Sequence, residues 1–129
     1  MGYIYPEVET LEGKPLVGTH HCVPLVQQYA KAPQASLWKQ GALVKTAKDI
    51  AKGTAIATFV EGVYPNKSTG NHAALFISQD NTGITVMDQW KGDPNKPTIS
   101  SRKIRFKGVK DGKLVEPLSN NGDAYYVID

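Results

Sequence analysis

The spacing of apolar positions along the chain changes near residue 53. Before it, Val23, Val26, Tyr29 and Ala30 recur at intervals of three and four, the repeat of one helix face. Pro24 falls in the first turn of that pattern, where its missing N–H costs nothing. The spacing predicts a helix that opens close to Cys22 and stops at Ala32-Pro33, because the residue before a proline is steered out of the helical region. Ser36 to Gly41 reads as a short helical turn closed by its glycine. Upstream, Pro6, Gly13, Pro15 and Gly18 interrupt the chain too densely for a regular element, so residues 1–17 are expected to form an irregular arm.

Beyond Gly53 the pattern becomes that of strands. Thr54–Phe59 alternates between two glycines, and His72–Ile77 is nearly apolar throughout, as a central strand would be. Between them, residues 62–70, with Pro65, Asn66 and Ser68, form a loop. Gln79–Gly83 reads as a hairpin turn in which Asn81 and Gly83 supply positive φ, and Ile84–Trp90 is the return strand. Residues 92–97 make another loop, Ser101–Phe106 another strand, and Ala124–Ile128 the last one. A helix followed by a meander of antiparallel strands is an α+β arrangement. No internal repeat or low-complexity tract divides the chain, so residues 1–129 are expected to form a single domain.

Composition narrows the function classes. With 40% hydrophobic and 21% charged residues in 14.0 kDa, the chain is neither disordered nor fibrous. Fifteen Lys and Arg against twelve Asp and Glu give a net charge of +3 and a pI near 8.9, and the only basic concentrations are lysines 45, 48 and 52 and the stretch Arg102–Lys107. Neither concentration is long, and both read as solvated faces, with a weak preference for polyanions such as cell-wall polymer, anionic lipid or nucleic acid as the alternative. No apolar run approaches the roughly 18 residues of a membrane span. The first residues show neither a basic region with an apolar stretch nor a myristoylation site, so the expectation is a chain made in the cytoplasm without a cleaved signal.

Candidate chemistry centres on the one cysteine, Cys22, which excludes a disulfide framework or a Cys-rich zinc site. At a helix start, unpaired backbone amides and the positive end of the dipole lower a thiol pKa, which is how a chain makes a nucleophile. The same amides can hold an oxyanion. A buried free cysteine packed at a helix start is the alternative. His72 opens an apolar strand after Gly70-Asn71, where an imidazole can act as base toward the thiol; a merely hydrogen-bonded strand histidine is its alternative. Asp88 and His72 stand nearly equidistant from the turn near Asn81–Gly83, so antiparallel pairing brings them side by side or nearly so. A carboxylate there fixes the imidazole tautomer; a solvent-facing hairpin residue is its alternative. Gln89, its neighbour, points to the other face and is a weaker candidate for that role. His21 and Trp90 are expected to wall the cleft and His20 to be exposed. A metal site built from His20, His21, His72 and Cys22 is the less favoured reading.

Cysteine, histidine and acid in this order are the arrangement of papain-like sites. The segments Gly18-x-x-x-Cys22, Ile50–Phe59, Gly70–Phe76, Val86–Trp90 and Ser119–Ile128 resemble the NlpC/P60 and CHAP group of papain-like amidases. Within that group they look closest to small bacterial proteins related to type VI secretion amidase effectors. The resemblance implies a papain-like (NlpC/P60) fold in which the N-terminal helix carries the cysteine and packs on an antiparallel sheet. It implies a cysteine peptidase that cleaves peptidoglycan stem peptides, with Cys22 as nucleophile, His72 as base and then acid, and Asp88 as orienting residue. His21, Asn71, Gln89 and Trp90 are the candidate substrate contacts. No cofactor or metal is expected, and no nucleic-acid partner or membrane insertion. Effectors of this kind are injected into a neighbour's periplasm and are paired with a cognate immunity protein. A non-catalytic binding module on the same fold, or a papain-like peptidase or transferase with another substrate, remains the competing expectation.

Overall fold

The computed structural model describes residues 2–65 and 67–129. Met1 and Asn66, the latter within the expected 62–70 loop, lie outside the described residues. Helix α1 runs Cys22–Ala30 and buries Leu25, Val26 and Ala30, the stripe set by its three- and four-residue spacing. It ends where Lys31 turns left-handed (φ 65°) and gives its N–H to Val26 O, two residues before Pro33.

The strands are β1 (Gln40–Leu43), β2 (Ala55–Thr58), β3 (Ala73–Asp80), β4 (Gly83–Asp88), β5 (Ser100–Arg105), β6 (Val109–Lys110), β7 (Lys113–Leu114) and β8 (Tyr125–Ile128). Six of them form one antiparallel sheet in the order β1-β8-β2-β3-β4-β5, while β6 and β7 pair separately. The meander therefore holds for β2 to β5, but the last strand turns back to lie between β1 and β2. Both faces of the sheet are covered. Leu25, Val26 and Ala30 of α1, together with Val8, Leu11 and Trp38, pack on Ala55, Ala57, Ala73, Leu75 and Met87. The opposite face gathers Ile56, Ala74, Phe76, Ile84, Val86, Ile104 and Tyr125. Two-sided burial explains why the central strands read as apolar runs rather than as alternations.

Four features depart from the expectations. Residues 8–11 of the arm form a 3-10 turn, because Val8 and Leu11, one turn apart, are both fully buried. Gly41 does not close a helical turn: the turn covers only Ala35–Leu37, and Gly41 lies in β1, where a Cβ would come within 2.8 Å of Val127 O on β8. The hairpin turn uses no positive φ at Asn81 or Gly83. Instead Asp80 Oδ1 accepts from Thr82 N (2.8 Å), Thr82 Oγ1 (2.6 Å) and Gly83 N (3.2 Å), an Asx-type turn. Gly83 is needed for close approach, since a Cβ there would stand 2.5 Å from Ile104 O of β5.

The fourth is the register of the β3–β4 hairpin. It runs Asp80↔Gly83, Gln79↔Ile84 and Ser78↔Thr85, then slips to Phe76↔Val86 and Leu75↔Met87, which leaves Ile77 as a one-residue bulge. Continued from the turn without the slip, pairing would put His72 and Asp88 on opposite faces. With it they share a face as diagonal neighbours rather than as a directly opposed pair. The expected basic concentrations are partly neutralised: Lys45 pairs with Asp123, Lys52 with Glu9 and Lys103 with Asp80, at 2.8–3.0 Å.

Candidate active site

Strands β2 and β4 end, and β3 begins, where the N-terminus of α1 meets the sheet. Cys22 is the first residue of the helix and is partly buried. The N-cap residue, His21, is extended and makes no side-chain capping bond, so its side chain leaves the first-turn amides uncovered. Cys22 Sγ lies 3.8 Å from Tyr64 Oη, which in turn accepts from Asn71 Nδ2 at 3.1 Å. The Tyr64 ring is wedged between Trp38 and Phe59, with centroids 4.9 and 6.5 Å away.

Thr58 holds the backbone of His72 from both sides: its Oγ1 accepts the His72 N–H and its own N–H donates to His72 O, each at 3.0 Å. His72 Nε2 and Asp88 Oδ2 are 2.8 Å apart, which leaves Nδ1 for the thiol. Arg102 Nε donates to the same Asp88 oxygen at 2.8 Å. Lys96 Nζ stands 2.9 Å from Oδ1, in ion-pair contact without the alignment of a hydrogen bond.

These contacts decide the protonation states. Burial alone would push the Cys22 thiol up, but the His72 hydrogen bond and charge, the Ala73 amide and the Tyr64 hydroxyl together bring it below its usual value. Burial would likewise depress His72, yet hydrogen bonds to Asp88 and Cys22 and their charges raise it to about 9. Asp88 is brought down to about 2 against its burial by the hydrogen bond and charge of His72, then by Arg102 and Lys96. Tyr64, raised by burial and by the facing thiolate, keeps its proton. The arrangement is a thiol held below its usual pKa beside an imidazole held above its own, whose second nitrogen meets a carboxylate, with a neutral hydroxyl across from the sulfur. Chemically it can attack a carbonyl, stabilise the oxyanion and protonate a leaving amine.

A cleft of about 860 Å³ opens over this group, lined by His21, Cys22, Tyr64, Asn71, His72 and Trp90 among others. Of the expected contacts, His21, Asn71 and Trp90 therefore face it. Gln89 does not. It is fully buried, with Oε1 accepting from Val17 N at 3.0 Å and Nε2 donating to Val17 O at 3.0 Å and His21 O at 2.7 Å. It braces the segment leading into α1, because the residue after Asp88 points to the opposite face of the sheet. His20 is exposed and left-handed (φ 75°). Among the described residues no group of three or more His, Cys, Asp or Glu is disposed to hold a metal ion.

Tyr64, Lys96 and Arg102 were not anticipated. Arg102 was visible as part of a basic stretch, and its alternation with Ile104 places it on the face of Val86. Lys96 and Tyr64 lie in loops that carry no pattern.

A model of the domesticated amidase effector 2 family matches residues 3–128. The chain is 48% identical over 134 aligned positions to a type VI secretion amidase effector 2 protein of Salmonella typhi, covering all of both chains. It is 34% identical to domesticated amidase effector 2 of Ixodes scapularis, covering 92% of this chain and 78% of that one. A solved structure of a type 6 secretion amidase effector 2 superposes with a TM-score of 0.91 at 47% identity, covering 98% of this chain and 94% of the other.

Proposed function

The chain belongs to the amidase effector 2 family, with its type VI secretion and domesticated members, and from that premise we propose that it cleaves amide bonds in the stem peptides of peptidoglycan through Cys22, His72 and Asp88. The observation that carries the reading is a single thiol at an uncapped helix start, beside an imidazole whose far nitrogen is 2.8 Å from a buried carboxylate. The order and spacing of these residues support a papain-like (NlpC/P60) description of the fold.

The Cys22 thiolate attacks the scissile carbonyl carbon. Negative charge moves to the carbonyl oxygen, which the Cys22 N–H and the Tyr64 hydroxyl receive. Collapse breaks the C–N bond, the His72 Nδ1 proton goes to the departing amine, and a thioester on Cys22 remains. His72, now neutral, takes a proton from water; the hydroxide displaces the thiolate and a carboxylic acid product leaves. Asp88 keeps Nε2 protonated throughout, so that Nδ1 is the nitrogen that exchanges protons. Trp90, His21 and Asn71 line the path of the peptide. Delivery into the periplasm of a target cell, and a cognate immunity protein that occupies the cleft, complete the reading.

Digestion of purified Gram-negative sacculi, with mass spectrometry of the released fragments, tests it. Wild type is expected to release new stem-peptide fragments and Cys22→Ala none, with an unchanged circular dichroism spectrum. Equal release by a folded Cys22→Ala protein would sink the proposal.

A further inference from the structure

Asp88 gathers more positive charge than a single imidazole requires. Two fixed cations, Arg102 at 2.8 Å and Lys96 at 2.9 Å, meet one carboxylate, so the cluster carries an excess positive charge before His72 titrates at all. Lys96 is not a surface lysine. Its side chain is 7% exposed, Nζ donates to Ser100 O at 3.1 Å and to Ser100 Oγ, and it lies 4.8 Å from the centre of the Trp90 ring. Arg102 also stacks on Trp90 at 4.8 Å, and its Nη1 reaches Asn120 Oδ1 at 3.3 Å. Trp90 is fixed by donating Nε1 to Asp93 Oδ2 at 3.1 Å, and it meets the His72 ring edge to face at 6.0 Å. The two cations come from different segments, the loop after β4 and strand β5, and converge on one carboxylate.

Burying Asp88 calls for a partner, because an unpaired carboxylate in that position would be prohibitively costly. His72 and Arg102 already supply two. We propose that Lys96 and Arg102 are positioning residues that act on His72 through Asp88, drawing the carboxylate's charge away from the imidazolium so that it gives up its proton readily to the leaving amine. The inference rests on the assignment of Cys22 and His72 proposed above. An unscreened carboxylate 2.8 Å away makes an imidazolium a reluctant acid, and neighbouring positive charges weaken that bias. The other titratable groups near the pair are Cys22 and Tyr64 on the cleft side, Tyr125 of β8, and Asp93. Tyr125 is kept neutral mainly by its burial, and Asp93 is engaged by Trp90 and by the Asn95 N–H.

The test follows the rate at which Cys22 is alkylated by iodoacetamide as a function of pH, in wild type, Lys96→Met and Lys96→Arg, alongside thermal melts. Wild type should react rapidly at neutral pH, with a change of rate as the imidazolium loses its proton. In Lys96→Met that upper limb should move up by about one pH unit, while Lys96→Arg keeps it in place. On wall peptides, Lys96→Met should lose about threefold in kcat at neutral pH with KM unchanged. An upper limb that stays or moves down in a folded Lys96→Met protein would overturn the proposal and leave Lys96 a structural cation. Should Lys96→Met fail to fold, Arg102→Gln, altered at a partly exposed side chain, carries the same expectation and the same refutation. A slow, featureless wild-type profile would instead count against Cys22 and His72 themselves.

Discussion

At the scale of single residues, Tyr64 is the clearest addition to the expected set. Its ring is packed between Trp38 and Phe59, while its hydroxyl does nothing for the core and faces the sulfur at 3.8 Å. Tyr64→Phe should therefore keep the melting temperature within a few degrees and lower kcat on wall peptides about 100-fold, the usual loss when one oxyanion donor is removed. An unchanged kcat would assign the hydroxyl to Asn71 alone. Cys22, His72 and Asp88 could be singled out from sequence because one cysteine, three histidines and a symmetric hairpin leave few combinations. Tyr64 could not, since a tyrosine in an irregular loop carries no periodicity, and its place depends on contacts with Trp38 and Phe59 that are distant in the chain. Lys96 escaped for a related reason. A lysine between prolines reads as solvated, and only the fold supplies the buried carboxylate that justifies it.

Among the elements, the connection between β4 and the start of α1 decides whether the thiol is correctly placed. Gln89 supplies it with three hydrogen bonds to Val17 and His21. Gln89→Ala would strand those backbone groups and should cost about 2–4 kcal/mol in a denaturant titration, at roughly 1 kcal/mol or more per buried bond. Alkylation of Cys22 should slow in parallel; a destabilised protein whose thiol reacts at the wild-type rate would show that the brace serves the fold alone. Strands β2 to β4 and α1 were legible because each has a full face of apolar residues, and β5 through the alternation of Ile104 and Phe106. Strand β1 was not: Gln40–Leu43 is short, half-exposed and contains a glycine whose purpose is set by β8. The Ile77 bulge was equally hidden. Symmetry about the turn brings His72 and Asp88 near one another, but which face each takes depends on a one-residue slip that no local pattern announces.

For the molecule as a whole, the buried charges make stability depend on pH in a definite way. His72, raised to about 9, contributes stability that is present below its unfolded value near 6.5 and lost as pH rises through 9. Cys22, lowered, contributes stability that is present above its unfolded value near 8.5 and lost as pH falls through its folded value. Near neutral pH the proton that His72 gains on folding opposes the one that Cys22 tends to give up, so the melting temperature of the wild type should vary less there than it does nearer 9. It should fall as pH rises toward about 9 and level off beyond, and fall again in acid as Asp88 is protonated on the way down to about 2. Cys22→Ser removes the compensating thiolate, so its melting temperature should already decline from about 6.5 upward. Scanning calorimetry from pH 3 to 10 distinguishes the two curves; matching curves would mean that thiol and imidazole are not an ion pair in the folded protein.

The placement of β8 also bears on when the protein becomes complete during its synthesis. The segments that carry Cys22, His72 and Asp88 leave the ribosome well before residues 125–128, yet those last residues form the strand between β1 and β2 and bring Tyr125 and Ile128 into the two cores. Until they emerge, β2 lacks the neighbour on its open side, and both layers lack a fully buried side chain. Domains generally fold as units once their long-range pairings can form. A nascent chain halted before residue 125 therefore holds Cys22, His72 and Asp88 without the strand that joins β1 to β2.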